Sequence, residues 1–515
     1  MPELPVFDYI VVGAGTAGCV LAARLSEDDR IRVLLLEAGS ADRTRAMTVP
    51  SAWPENLGTA ADWAQVTTAQ ADAGPIAYPR GRALGGGSAI NAMGHVRAHP
   101  AVYDGWAENG GPGWGHDGLR PYFRRSERAD GRDPALRGTD GPVPVGPATT
   151  GRHPVAQAFA AGLAATGWPP ADDLSGATPE GVAWVDLAIA GGQRVSSADA
   201  YLRPVLDRPN LTVRTGCLVT GLDVRDGRCA GVSYVAGGVR DRAGAGAEVV
   251  LAAGAIGSPQ LLLRSGIGPA GALRACGLDV VADVAGVGQN LQDHPVAMVT
   301  YAAAEPLPAS RYNHGEVYAA VRTELADGYP DLHLFPILLP LAAAGFDPPG
   351  AGCNLVAAVV APSSRGSVRL ASPAPDAAPL IDPGFLTHPR DLDRLEAGLR
   401  MIRAAAATPG FAAAKLREQW PGPGATGREA LRGYIRRAVG SYWHPAGTCR
   451  MGTGADAVVD PELKVRGVDG LRVADAAIMP TITNAHPNAT VLAIAERAAA
   501  LILGERLVSE GFSLA

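Results

Sequence analysis

The sequence predicts an α/β protein: a parallel sheet begun by an N-terminal βαβ unit, interleaved along the chain with an α+β domain built on an antiparallel sheet. Three observations predict it. Residues 7–13 (FDYIVVG) and 31–38 (IRVLLLEA) are apolar, β-branched runs joined by a glycine-rich turn and a helical stretch, which together make βαβ within 40 residues. From about residue 300 to 435 the character changes to strand-like runs and one long amphipathic helix. The chain then returns to a strand at 471–474 and a long helix at 489–503.

In chain order, residues 16–26 read as a helix with Cys19, Val20, Ala23 and Leu25 among its apolar positions. Residues 40–150 are irregular and rich in Gly, Pro, Trp and Asp, with helices expected only near 88–97 and 117–126; a stretch of that kind is usually functional cover. Helices are predicted at 153–167 and 198–206, strands at 211–224, 229–236 and 247–252, and a further helix opens at 257–265. Strands follow at 331–339 and 354–361. A turn at Ser363–Gly366 then leads into SVRLAS as a predicted hairpin, and 390–407 has amphipathic helical spacing.

At 515 residues the chain exceeds what one compact core holds, so two domains are expected. Hydrophobic residues at 47% and charged residues at 19% are ordinary for a globular protein. A net charge of −6 argues against a nucleic-acid partner, which selects a basic face. No stretch approaches the roughly 18–20 apolar residues that cross a bilayer, so no membrane association is expected. MPELPVFDY lacks a basic, then apolar, leader pattern. Six cysteines without a CxxC pair suggest neither a metal site nor a disulfide framework, and reduced thiols in the cytoplasm are the simplest reading. Only Lys415 and Lys464 are lysines among 45 basic residues, a bias that suggests a GC-rich bacterial genome.

Gly13, Gly15 and Gly18 spell GxGxxG between strand and helix. There the first glycine permits the tight turn, the second a close approach of a pyrophosphate, and the third close helix–strand packing. The helix N-terminus adds free N–H groups and a positive dipole end. Glu37 ends the second strand, where a carboxylate accepts from a ribose diol and repels a 2′-phosphate. This is a Rossmann-type dinucleotide site; the motif alone leaves NAD and FAD open.

Residues 80–91, RGRALGGGSAIN, place three glycines before Ser88 and Asn91, a loop that brings backbone amides against a ligand. Extended to GRALGGGSAINAMGHVRA, it resembles the first signature of the glucose–methanol–choline (GMC) oxidoreductases. GAIGSPQLLLRSGIGP (254–269) resembles the second. SYWHPAGTCRMG (441–452) and LRVADAAIMPTITNAHPNATVLAIAE (471–496) are similar to the family's active-site region. The nearest patterns are bacterial hydroxymethylfurfural and aryl-alcohol oxidases and choline dehydrogenase-like members.

The resemblance implies FAD. Gly13, Gly15, Thr16, Ala17, Gly18, Glu37 and Ala38 would hold the adenosine end, with Val219 contacting adenine through its backbone. Arg82, Gly86, Ser88, Asn91 and Ala92 would lie along the pyrophosphate and flavin. Ala253, Gly254, Asp475 and Ala476 would close over the cofactor, with Asn488 and Thr490 beside the ring. Some members attach FAD through a histidine two residues beyond the serine of this loop; here that position is Ile90, so non-covalent FAD is expected. The FAD-binding domain would comprise 1–150, 193–300 and 440–515, and the substrate domain 151–192 and 301–439, with the active site between them.

Imidazole accepts a hydroxyl proton near neutral pH. His444 matches the family's general base, and His486 the partner that hydrogen-bonds the hydroxyl. Tyr442 and Trp443 are candidate walls of the alcohol site. His333, in a strand-like run, reads as a core residue. The expected reaction is oxidation of a primary alcohol to an aldehyde, with O2 or another electron acceptor, in a monomer or small homo-oligomer. Oxidation of a sugar or aminoglycoside-type hydroxymethyl group, a FAD-containing hydroxynitrile-type lyase and an NAD-dependent dehydrogenase stay open as alternatives.

Overall fold

The computed structural model describes residues 5–343 and 345–505. Residues 1–4 and 506–515, including both ends of the expected FAD-binding domain, lie outside the described residues.

Strand Val6–Val12 lies at the centre of a parallel sheet. Val33–Leu36 flanks it on one side, with Leu211–Arg214 beyond, and the second half of Val239–Leu251 flanks it on the other. Leu471–Val473 pairs in parallel with Val249–Leu251, although it arrives from the far end of the chain. The first half of Val239–Leu251 turns antiparallel to Arg228–Ala236, which pairs with Cys217–Arg225. All four residues of Val33–Leu36 are buried, as an inner parallel strand requires. The single strand expected at 211–224 is two strands. Gly216, at φ +65°, turns the chain out of the parallel edge and into the antiparallel arm.

A second sheet runs in the order Arg417–Trp420, Pro295–Ala302, Gly352–Val359, Leu332–Ile337, Val317–Val321, Gly181–Trp184, every neighbour antiparallel. Helix Pro389–Ala406 crosses it with Leu392, Leu395, Leu399 and Ile402 buried. Its Gly398 sits so close that a Cβ there would stand 2.6 Å from the Ala357 methyl. Four of these strands, Gly181–Trp184, Pro295–Ala302, Val317–Val321 and Arg417–Trp420, were not predicted. Pro295–Ala302 and Val317–Val321 are buried at almost every position, so the in–out alternation that marks a half-exposed strand is missing.

Other expectations need correction. The helix expected over 88–97 is one turn, Gly87–Ile90. The Asn91 side chain then accepts from the Met93 N–H at 2.9 Å, Met93 takes φ +58°, and the chain leaves helical geometry. Helix Pro100–Gly110, inside the stretch expected to be irregular, starts with Pro at its first position and His99 capping the Ala101 N–H. Residues 198–205 form a π turn followed by a 3₁₀ turn rather than an α-helix. Gly366–Arg369 forms no hairpin with 352–359; it pairs with Gln289–Leu291 and Leu380–Asp382. Among the described residues no helix is long and apolar enough to cross a membrane.

Candidate active site

In a parallel sheet the ligand crevice opens beyond the C-terminal strand ends. Those ends here carry Gly13 after Val12, Glu37 after Leu36, Ala253 and Gly254 after Leu251, and Asp475 after Val473. Sheet topology therefore gathers one cradle from four distant parts of the chain.

The cradle fits a dinucleotide. A Cβ on Gly18 would lie 1.8 Å from the Gly13 carbonyl oxygen, so only glycine lets helix Thr16–Leu25 start this close to the turn. That helix has no side-chain N-cap and no acidic residue in its first turn, leaving its first N–H groups free for an anion. Each Glu37 carboxyl oxygen accepts one backbone N–H, from Ala14 at 2.8 Å and Gly39 at 2.7 Å, and each keeps a lone pair for a ribose hydroxyl. The Cys217 N–H bonds to the Glu37 carbonyl, which brings the strand carrying Val219 to this end. Ala38 lies between Glu37 and Gly39.

The second glycine loop stacks on the first. A Cβ on Gly86 (φ +51°) would stand 2.6 Å from the Gly15 Cα. Several side chains here turn to protein partners rather than into the cradle. The Ser88 hydroxyl donates to the Gly85 carbonyl at 2.6 Å and accepts from the Ser197 N–H at 2.9 Å. Asn91 Oδ1 accepts from Met93 and from Arg194, just ahead of Ala92. The Arg82 guanidinium is exposed and lies over the Trp63 ring at 4.9 Å. Arg194, which the sequence reading missed, is buried beside this loop with Nε and Nη2 unpaired; a guanidinium so placed calls for an acceptor-rich ligand.

Asp475 closes the cradle. Its carboxylate accepts from Gly254 N–H at 2.8 Å, the Ser258 hydroxyl at 2.6 Å and Ala477 N–H at 2.7 Å, while the Ala476 carbonyl accepts from Gly447 N–H. The Thr16 hydroxyl, at the first turn, donates to Asn488 Oδ1 at 2.8 Å. Ala17 is buried beneath it. The Thr490 hydroxyl is shared with the Tyr103 hydroxyl at 2.8 Å.

Two residues before Asn488 stands His486, the N-cap of helix Pro487–Leu503, and it meets His444: the ring centroids are 5.4 Å apart, with planes at 76°. Sequence spacing could not show this. Tyr442 lies over both, stacks on Phe335 at 4.8 Å and 13°, and its hydroxyl is 3.0 Å from His486 Nε2. Gly94 presses on the His486 ring; a Cβ there would lie 3.3 Å from Nε2. His333 also faces this cluster, 6.0 Å from His486, so its expected role as plain core packing is incomplete. Trp443 meets Trp53 edge-on and its indole N–H donates to the Ala77 carbonyl.

His444 is presented by a strained turn. Trp443 adopts φ +63°, the left-handed region that disfavours a bulky side chain. Asp293, another residue the sequence reading passed over, holds the turn. Its buried carboxylate accepts from the Tyr78 hydroxyl at 2.7 Å, the Ser441 hydroxyl, His294 N–H at 2.8 Å and His444 N–H at 2.8 Å. Arg80 adds a bond to the Trp443 carbonyl. Burial keeps these three imidazoles neutral: His486 is lowered to about 4, and His444 and His333 lie well below the ordinary histidine value, with neighbouring imidazoles adding to the effect. A neutral imidazole keeps one ring-nitrogen lone pair free to accept a proton.

A dinucleotide cradle ending in paired neutral imidazoles defines a nucleotide-dependent oxidoreductase. Residues 7–296 and 362–495 match the N- and C-terminal GMC oxidoreductase models, and the chain belongs to that family, one of FAD-dependent oxidoreductases. The oxygen-dependent choline dehydrogenase of Photobacterium profundum is 36% identical over 98% of this chain and 94% of its own. Pyridoxine 4-oxidase from Mesorbium loti superposes with a TM-score of 0.91 at 37% identity, covering 96% of this chain and 98% of that one. A fungal aryl-alcohol oxidase superposes with a TM-score of 0.83 at 26% identity, covering 97% and 99%.

Proposed function

We propose that the chain oxidises a primary alcohol to an aldehyde, with His444 taking the hydroxyl proton and His486 hydrogen-bonding the hydroxyl oxygen. One observation carries this: His444 and His486 meet with ring centroids 5.4 Å apart, and His486 opens the same helix whose Asn488 is tied to Thr16 of the glycine turn, so the imidazole pair adjoins the dinucleotide cradle. When bound, the flavin supplies the hydride acceptor. The residues named above would hold it: Glu37 at the adenosine end, the first turn, the Gly86 loop and Asp475 along the pyrophosphate, and Asn488 at the helix start that carries His486. Neutral His444 lowers the barrier by removing the proton as the carbon–hydrogen bond breaks. His486, backed by Gly94 and Tyr442, steadies the developing alkoxide.

The wall of Tyr442, Phe335 and Tyr318 around uncharged imidazoles suits an activated, aromatic CH2OH group. Two solved relatives, a pyridoxine 4-oxidase and an aryl-alcohol oxidase, are named for substrates of that class. Flavin attachment is non-covalent, because Ile90 offers no nucleophile at the tethering position. The division into 1–150, 193–300 and 440–515 against 151–192 and 301–439, cytoplasmic location, a monomer or small homo-oligomer, and O2 or another acceptor complete the proposal.

An anaerobic panel of aromatic, aliphatic and quaternary-ammonium primary alcohols tests it, with flavin absorbance followed before and after air is admitted. Bleaching by aromatic alcohols is expected, and air separates oxidase from dehydrogenase. If no alcohol bleaches the flavin while a hydroxynitrile is cleaved, the chain is a lyase instead. Acid precipitation should leave a colourless pellet; a yellow one overturns non-covalent binding.

A further inference from the structure

Behind His444 stands a third imidazole. His294 is fully buried where the chain enters strand Pro295–Ala302. Its Nε2 lies 3.0 Å from the Thr483 carbonyl oxygen, and its Nδ1 lies 3.0 Å from Nδ1 of His444. A carbonyl oxygen only accepts, so Nε2 of His294 carries hydrogen. Burial, followed by the effect of His486, lowers His294 to about 3, so the ring holds one hydrogen at neutral pH and Nδ1 is a bare lone pair. Of the two facing nitrogens, the hydrogen must then sit on His444 Nδ1. The other tautomer of His444 would set two lone pairs against each other. A neutral His444 with hydrogen on Nδ1 has a free lone pair on Nε2.

We infer that His294 is a positioning residue that locks His444 in the tautomer whose Nε2 accepts the substrate proton. The inference rests on the role proposed for His444 and adds what fixes its direction. In the step, the alcohol O–H bond would break toward His444 Nε2 and the carbon–oxygen double bond would form as the carbon–hydrogen electron pair leaves to the hydride acceptor that a bound flavin would supply. His444 becomes imidazolium. Its Nδ1–H bond to His294 is then charge-assisted and strengthens as the proton arrives. His294 itself takes no proton, because its lone pair is engaged by that N–H.

Two measurements test this. Two-bond proton–nitrogen correlation spectra of the histidine-labelled holoenzyme, assigned by the loss of signals in His444→Ala, report the tautomers directly. Hydrogen on Nδ1 of His444 and on Nε2 of His294 is expected; hydrogen on Nε2 of His444 overturns the inference. In parallel, His294→Asn places an amide oxygen where Nδ1 stood, and His294→Leu removes the acceptor. Single-turnover flavin reduction should stay within about tenfold for Asn and fall by about 10²-fold or more for Leu, with little change in half-saturation, since a wrongly tautomerised base fails at the proton-transfer step. Equal rates for the two variants sink the idea. Should His444→Ala itself reduce at a normal rate, the fault lies with the base assignment and not with the tautomer lock.

Discussion

Thr16 and Asn488, 472 positions apart, share a hydrogen bond of 2.8 Å. It joins the first turn of helix Thr16–Leu25 to the first turn of helix Pro487–Leu503. The nucleotide cradle and the imidazole pair are therefore one object: His486 takes its place from the same helix start that Thr16 anchors. Asn488→Ala should leave the fold intact and weaken FAD retention by roughly tenfold, about the net worth of one hydrogen bond plus its ligand contact. Titration of apoprotein by flavin fluorescence checks it, and unchanged affinity would remove Asn488 from the cofactor site.

Gly86 makes a sharper test of where the cofactor lies. Its Cβ would stand 2.6 Å from the Gly15 backbone, and its φ of +51° disfavours any other residue. Gly86→Val must push the two glycine loops apart. A colourless, otherwise folded protein is expected, read by absorbance and far-ultraviolet circular dichroism together. Full flavin content would show that the loops do not jointly hold it.

What was readable in the sequence divides along physical lines. The glycine turns were legible because they meet local steric demands, and His444 and His486 because their neighbouring motifs are specific. Their proximity was not legible, since it depends on strand Leu471–Val473 returning to the first sheet. His294 and Asp293 sit in a short connection with no periodicity, and nothing local distinguishes them. The second sheet was read only in part, two of the six strands in its pairing order: strands buried on both faces lose the alternation that would reveal them. The hairpin at 363–372 failed because turn chemistry fixes a chain reversal but not the partner, and Gly366–Arg369 found Gln289–Leu291 instead.

The buried imidazoles set the pH response. A base must be neutral to accept a proton, and His444 and His486 lose their charge well below the ordinary histidine value, His486 at about 4. The apparent second-order rate of flavin reduction should therefore stay level as pH falls through 6.5 and decline only beneath it. For stability the sign is related: folded-state values lie below the unfolded one, so the unfolded chain binds more protons as pH drops below about 6.5, and stability falls from there. Anaerobic stopped-flow and thermal melts over the same pH series check both. An acid limb centred at 6.5 or higher would mean that the proposed base is solvated.

Asp293 is the strongest candidate for a mutation that damages stability and chemistry together. Its carboxylate collects the Tyr78 and Ser441 hydroxyls and the backbone N–H groups of His294 and His444. Asp293→Asn keeps the shape but replaces one oxygen with a donor, which must face donors already in place. One or two buried N–H or O–H groups are then left unmet, at a cost of about 2–4 kcal/mol. The Trp443 turn, left-handed at φ +63°, loses its anchor and can relax, carrying His444 away from His486. A lower urea midpoint with unchanged slope, and flavin reduction slowed more than in Tyr78→Phe, which removes a single donor, are the expected results. If Asp293→Asn matched Tyr78→Phe in both respects, the carboxylate would be ordinary packing and the turn would hold without it.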